Sequence, residues 1–207
     1  MGFLNEQEQA SIEAAIKKAE SGTSGEIVFV IAQASGRYQH ATLQGAILGM
    51  AIATAVFLML PITQTSTHLL WMEFISFAVC YTLLPHLPCR RWIIPRQTMD
   101  ARVHEAAFMQ FYSSGLYKTR EANGVEIYLS IFERKVIVIG DQGIHDKMGN
   151  EHWDDVRNLI IQGIKNGKAC EGICAAIDRC GKTLAEHFPH SPDDVNELPD
   201  QIIFRQL

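Results

Sequence analysis

Two apolar runs, residues 43–60 and 69–87, interrupt an otherwise polar chain of 207 residues. The first contains no charged residue and ends at Pro61; in the second only Glu73, Pro85 and His86 depart from the apolar pattern. Each is close to the ~20 residues that a helix needs to cross the hydrocarbon core of a bilayer. A buried soluble helix is the alternative, but two adjacent charge-poor runs joined by PITQTSTH predict a membrane hairpin. Gly45, Gly49 and Ala53 share one face of the first helix and would let the pair approach closely. Glu73, one turn inside the second run, can reach the interface or face its partner helix. Trp71 and Trp92 suit the interfacial belts.

The flanking charges predict orientation. Arg37 precedes the pair and Arg90, Arg91, Arg96 and Arg102 follow it, whereas residues 61–68 carry no Lys or Arg. The positive-inside rule then places both flanks, and with them both termini and the soluble domain, in the cytoplasm. The expected location is a membrane crossed twice, with the lipid bilayer as one partner. Residues 1–22 read as a polar, acidic helix, so no cleavable signal peptide is expected. A net charge of −5 and a pI near 5.9 argue against a nucleic-acid partner. The five cysteines, at 80, 89, 170, 174 and 180, include no CxxC pair, so neither a disulfide framework nor a zinc ribbon is expected.

The remaining sequence reads as alternating helices and strands. Asn5 followed by Glu8 predicts a capping box, and Ile12, Ala15, Ile16 and Ala19 repeat at helical spacing behind it. EIVFVIA, residues 26–32, predicts a buried strand. Met99, Val103, Ala106, Ala107, Phe111 and Leu116 predict an amphipathic helix stopped near Gly115, with His104 beside its apolar face. GVEIYLSIFERKVIVIGDQGI, residues 124–144, predicts two antiparallel strands joined by a turn at 132–135. The first alternates apolar with polar residues, as in a half-buried strand; the second, Val136 to Ile139, is continuously apolar and predicts a central strand covered on both faces. Asn150 predicts the cap of a helix with Trp153, Val156, Ile160 and Ile164 buried, and a last helix carries Ile173, Ile177, Cys180, Leu184 and Phe188 on one stripe. The Pro-punctuated tail is expected to lie across the surface.

These elements predict a layered α/β fold, a mixed sheet with a central antiparallel hairpin, interrupted by the transmembrane helical hairpin. Residues 1–40 and 97–207 would form one discontinuous domain, because one helix and one strand cannot bury a core alone. Residues 41–96 would form the insertion.

Antiparallel pairing brings Asp141 and Gln142 beside Arg120 and Asn123 at one sheet edge. Asp141, with Asp146 and Glu151 in support, could hold Ca²⁺ or Mg²⁺ through carboxylate oxygens. Arg120 could orient a phosphate and Asn123 form a neutral wall, with His145 and Glu26 near by. Ordinary turn chemistry at Asp141-Gln142-Gly143 and Asn123-Gly124 remains the alternative. If the 26–32 strand ran parallel to the 135–140 strand, this edge would be the one the membrane hairpin departs from. His187 and His190 near Asp193 and Asp194 read as a solvated helix end. No hydroxyl or thiol sits in a nucleophile-elbow sequence, and no DxDx(T/V) stretch is present. A phosphatase built on this chain would be metal-assisted.

The order of elements, together with LNEQEQASIEAAIKKAESGTSGEIVFVIA, REANGVEIYLSIFERKVIVIGDQGI, the Trp153 helix and LAEHFP, resembles the TPM domain family. The closing DDVNELPDQI resembles the tail of its bacterial membrane-bound members. The resemblance implies a Rossmann-like sandwich, an acid phosphatase activity as in plant members, calcium binding as in some, and non-catalytic accessory roles in others. Two functions follow as expectations. One is a membrane-anchored accessory module at the cytoplasmic face, with a membrane-protein partner and a divalent cation; the other is a weak metal-assisted phosphatase at the membrane surface.

Overall fold

A computed structural model describes residues 3–60, 65–87, 90–148, 153–190 and 197–206. Two compact units are present, one made of Met1–Ser35 with Ala101–Leu207, the other of Gly36–Asp100.

In the first unit, helix α1 (Glu6–Glu20) starts at the Asn5 box: the Asn5 side chain accepts from the Glu8 N–H and the Glu8 carboxylate from the Asn5 N–H, both at 2.8 Å. Its spacing buries Ile12 and Ile16. Strand β1 (Glu26–Ala32) is buried at every position, because sheet neighbours flank it on both edges and helices cover both faces. Strands β2 (Gly124–Ser130) and β3 (Lys135–Gly140) form the expected antiparallel pair, closed by a turn in which Arg134 adopts a positive φ. A short strand β4 (Ile203–Arg205) completes a mixed four-stranded sheet in the order β3-β2-β1-β4. β1 is parallel to both β2 and β4.

One sheet face, with Ile27, Phe29, Ile31, Val125, Ile127 and Leu129, shares a core with α1, α7 (Trp153–Lys165) and α8 (Ala169–His187). The other, with Val28, Val30 and Tyr128, lies under Val103, Ala106, Ala107 and Phe111 of α5 (Arg96–Ser114). The helices thus form layers on both sides of the sheet. His104 is exposed on the outer side of α5, so it does not share that helix's buried face.

Several expectations are corrected. The continuously apolar β3 is an edge strand, and the alternating β2 is the central one, buried at all seven positions. What decides burial is the presence of a neighbour on each side, and the polar residues of β2 meet other buried polar groups instead of solvent. The tail contributes β4, three residues long, too short to carry a periodicity. A seven-residue helix, α6 (Gln142–Met148), begins where a glycine turn was expected. Gly143 lies inside it, and a Cβ there would fall 2.7 Å from the Glu121 carbonyl oxygen, so glycine lets α6 seat directly on that backbone. The expected cap Asn150 lies outside the described residues.

In the second unit, α2 (Gln39–Met59) and α3 (Ser66–Leu83) form a pair of apolar helices, and the single turn α4 (Arg90–Ile93) follows them. A Cβ on Gly49 would lie 2.5 Å from Cys80 Sγ, which accounts for the small residue at this contact. Thr54 Oγ1 donates to Glu73 at 3.1 Å, so Glu73 faces its partner helix. Both helices are long and apolar enough to cross a membrane, and Trp71 and Trp92 are exposed.

The strand order yields a stability prediction. Ile127→Ala, in the centre of the sheet, should cost about 2–5 kcal/mol, and Val138→Ala, on the half-buried edge, less than about 2 kcal/mol. Urea denaturation of the two variants measures the difference; equal losses would place β3 as deep in the core as β2.

Candidate functional site

Hairpin geometry does bring the expected residues to one end of the sheet. The Asp141 N–H donates to the Gly124 carbonyl at 2.9 Å and the Gly143 N–H to that of Ala122 at 3.0 Å, which sets the start of α6 against the start of β2. Asn123 is buried, and its amide donates to the Ser24 carbonyl at 2.5 Å, tying the entry of β2 to the entry of β1. It therefore serves as a structural link between strands. Arg120 has an exposed side chain, and its backbone N–H donates to Glu197 at 3.2 Å. The Glu197 N–H in turn donates to Glu26 at 3.0 Å. Glu20, beside Glu26 and Asp200, accepts from the Ile27 N–H at 2.9 Å; burial above all pushes its carboxyl up to about 8.

Asp141 stands just before α6, and its carbonyl accepts from the His145 N–H at 3.0 Å. Its Oδ1 accepts from the Gln142 N–H at 2.8 Å, while its Oδ2 is buried without a hydrogen-bond partner among the described residues. Asp146 is exposed and accepts from the Gln142 side chain at 2.9 Å; His145 is also exposed. Glu151 lies outside the described residues. Calcium takes six to eight oxygen ligands. Among the described residues no three His, Cys, Asp or Glu side chains converge as a metal would require. The described side chains alone do not make up a cation shell. At the end of α8, His187 Nδ1 lies 3.1 Å from the Thr183 carbonyl, a helix-end contact, and the His187 carbonyl accepts from Lys147 at 3.1 Å. Asp193 and Asp194 lie outside the described residues.

A second polar group, absent from the sequence-based expectations, is enclosed between β2 and α5. Glu126, Tyr128 and Ser130 are fully buried in a row along β2. The Ser35 hydroxyl lies 3.2 Å from that of Tyr128 and 2.9 Å from that of Ser130. Glu133 accepts from the Ser35 N–H at 2.9 Å and from the Ser130 hydroxyl. The point where the chain leaves this unit is thereby tied to the β2–β3 turn. Glu126, by contrast, has no hydrogen-bond partner on either oxygen among the described residues. Burial pushes its carboxyl up to about 8, and the Arg205 guanidinium only partly opposes this. The alternating pattern of β2 conceals this row, since a polar residue at period two ordinarily signals solvent.

Glu126 and Glu20 set the sign of a pH dependence. With carboxyls raised to about 8 against an ordinary 4.5, the folded state holds more protons than the unfolded chain between those values. Stability should therefore be highest below about 4.5 as far as these two groups are concerned, and fall as pH rises toward 8. Glu126→Gln should reduce that decline. Melting temperatures of both proteins across this range supply the check, and parallel curves would refute the assignment to Glu126.

No curated protein matches the sequence. The chain is similar in structure to the BA42 protein of the psychrophilic bacterium Bizionia argentinensis, solved by NMR, with 23% identity and a TM-score of 0.62 over 99% of this chain and 97% of that one. At that identity the likeness concerns the fold. Residues 92–183 match the TPM domain family; they hold β2, β3 and helices on both faces, while β1 and β4 complete the sheet from either side of the match. The stretch of this chain that is similar to the TPM domain is thus its middle, residues 92–183.

Proposed function

We propose that the protein is a membrane-anchored TPM-type accessory module, displayed at the cytoplasmic face of a bacterial inner membrane and acting on a membrane-protein partner. Residues 1–40 and 97–207 would be its folded body and 41–96 its anchor. The observation that carries this reading is the pair of apolar helices. The segments Gln39–Met59 and Ser66–His86 each span 21 residues, with mean hydropathy of 1.8 and 1.4, and only 11% and 0% of their most apolar windows are buried. Apolar surface of that extent supports a non-aqueous surrounding. The arginines on both flanks, against none between the helices, support the cytoplasmic orientation. Alkaline phosphatase fused at Thr65 should be active and the same reporter at the C-terminus inactive. Recovery of the protein in the soluble fraction without detergent, or the reverse reporter pattern, would overturn the reading.

A metal-assisted phosphatase is the competing reading, and the buried Asp141 Oδ2 is the observation that favours it. A calcium or magnesium ion held there would supply the activated water. On that reading, either ion raises the melting temperature of the wild type and not of Asp141→Asn, since a ligand that binds only the folded state stabilises it. Phosphate-ester turnover would follow the same dependence. No shift with either ion, and no turnover, would leave the accessory module standing alone.

A further inference from the structure

Parallel strands β1, β2 and β4 all point their carboxyl ends to the same edge, opposite the one that holds Asp141. The connection that leaves β1 places α5 over one face, and the connection that leads into β4 places α7 and α8 over the other. Open α/β sheets bind ligands just beyond the carboxyl ends of strands, where the connections part to opposite faces. At this place the structure has a cavity of about 720 Å³, within the 300–1,000 Å³ typical of small-molecule sites. Phe3, Leu4, Ile31, Ile131, Phe132 and Phe204 form its walls.

Three of the four polar residues in the lining are glutamines. Gln9, Gln33 and Gln206 contribute to it, and a carboxamide can both donate and accept. Gln33 stands at the seam of the strands: its N–H donates to the Arg205 carbonyl at 3.2 Å, and its carbonyl accepts from the Phe132 N–H at 3.0 Å. Arg205 is the one charged residue of the lining, and its guanidinium is directed to the other face of the sheet, where Nη1 donates to the Ala106 carbonyl at 2.8 Å. A charged ligand would therefore enter an apolar site without a counter-charge, which is costly.

We infer that this cavity binds small, neutral, largely apolar molecules carrying an amide- or hydroxyl-type hydrogen-bonding group. Three aromatic rings hold the apolar body, and the glutamine amides orient the polar end. The site is separate from the Asp141 end of the sheet and does not depend on the accessory or phosphatase readings.

Three probes of one shape test the charge preference: neutral N-acetylphenylalaninamide, anionic N-acetylphenylalanine and cationic phenylalaninamide. Saturation-transfer NMR on the full chain in phosphatidylcholine nanodiscs, with empty nanodiscs subtracted, measures binding of each. The neutral probe should bind saturably, and both ions roughly tenfold more weakly or worse. Phe204→Ala and Gln33→Glu, both at exposed positions, should each weaken the neutral probe by a similar factor, whereas Met109→Ala, on α5, should leave it unchanged. Either site variant suffices if the other fails to fold. Absence of saturable binding, equal or tighter binding of an ion, or site variants indistinguishable from wild type would overturn the inference.

Discussion

The parallel pairing of β1 with β2 holds the domain together. The two strands come from opposite sides of the apolar helices, and each is buried along its whole length, so neither has a stable place without the other. Their seven-residue register sets everything else. It aligns Ile27, Phe29 and Ile31 with Val125, Ile127 and Leu129 on the face that α1, α7 and α8 cover. On the opposite face it places the Glu126–Tyr128–Ser130 row beneath α5. A slip of one residue would exchange the two faces and bring the polar row into the larger apolar core.

Helices and the hairpin were legible because their patterns are local. The Asn5–Glu8 box, the stripes of α7 and α8, and the two long apolar runs each announce an element within one stretch of sequence. Position within the sheet is a different kind of information. The alternation of β2 suggested an exposed face and the unbroken run Val136–Ile139 a central one, and the structure reverses both. A strand's burial is conferred by its neighbours, and β1 and α5, which enclose β2, are distant in sequence. The same limit hid β4, whose three residues find their place only through β1. At the candidate site, the meeting of Asp141 with Asn123 could be read from hairpin geometry alone. That Asn123 is spent on the Ser24 carbonyl could not, because Ser24 belongs to the entry of another strand.

Sheet polarity separates two chemically unlike ends. β1 runs antiparallel to β3, so the chain departs toward the apolar helices at the end that holds the β2–β3 turn, away from Asp141. The expectation that the acidic edge is the one the hairpin leaves from is thereby corrected. Carboxylates gather at one end, with Glu20, Glu26, Asp141, Glu197 and Asp200; apolar walls and amides line the other. Each belongs to a different set of loops, so either end can change without disturbing the other.

The buried β1 also has a consequence for how the chain is made. A ribosome releases α1 and β1 first, then the two long apolar helices, and only afterwards the strand that β1 must join. Until residues beyond 124 emerge, the six consecutive apolar positions from Ile27 to Ala32 have no lateral partner. An unpaired strand of that composition invites association with other chains. If the apolar helices enter the bilayer during this interval, their insertion fixes the waiting strand near the surface from which its partner will arrive. Tethering then shortens the search between β1 and β2 and keeps neighbouring nascent chains apart, so the interruption that divides the domain would also protect it while it is incomplete.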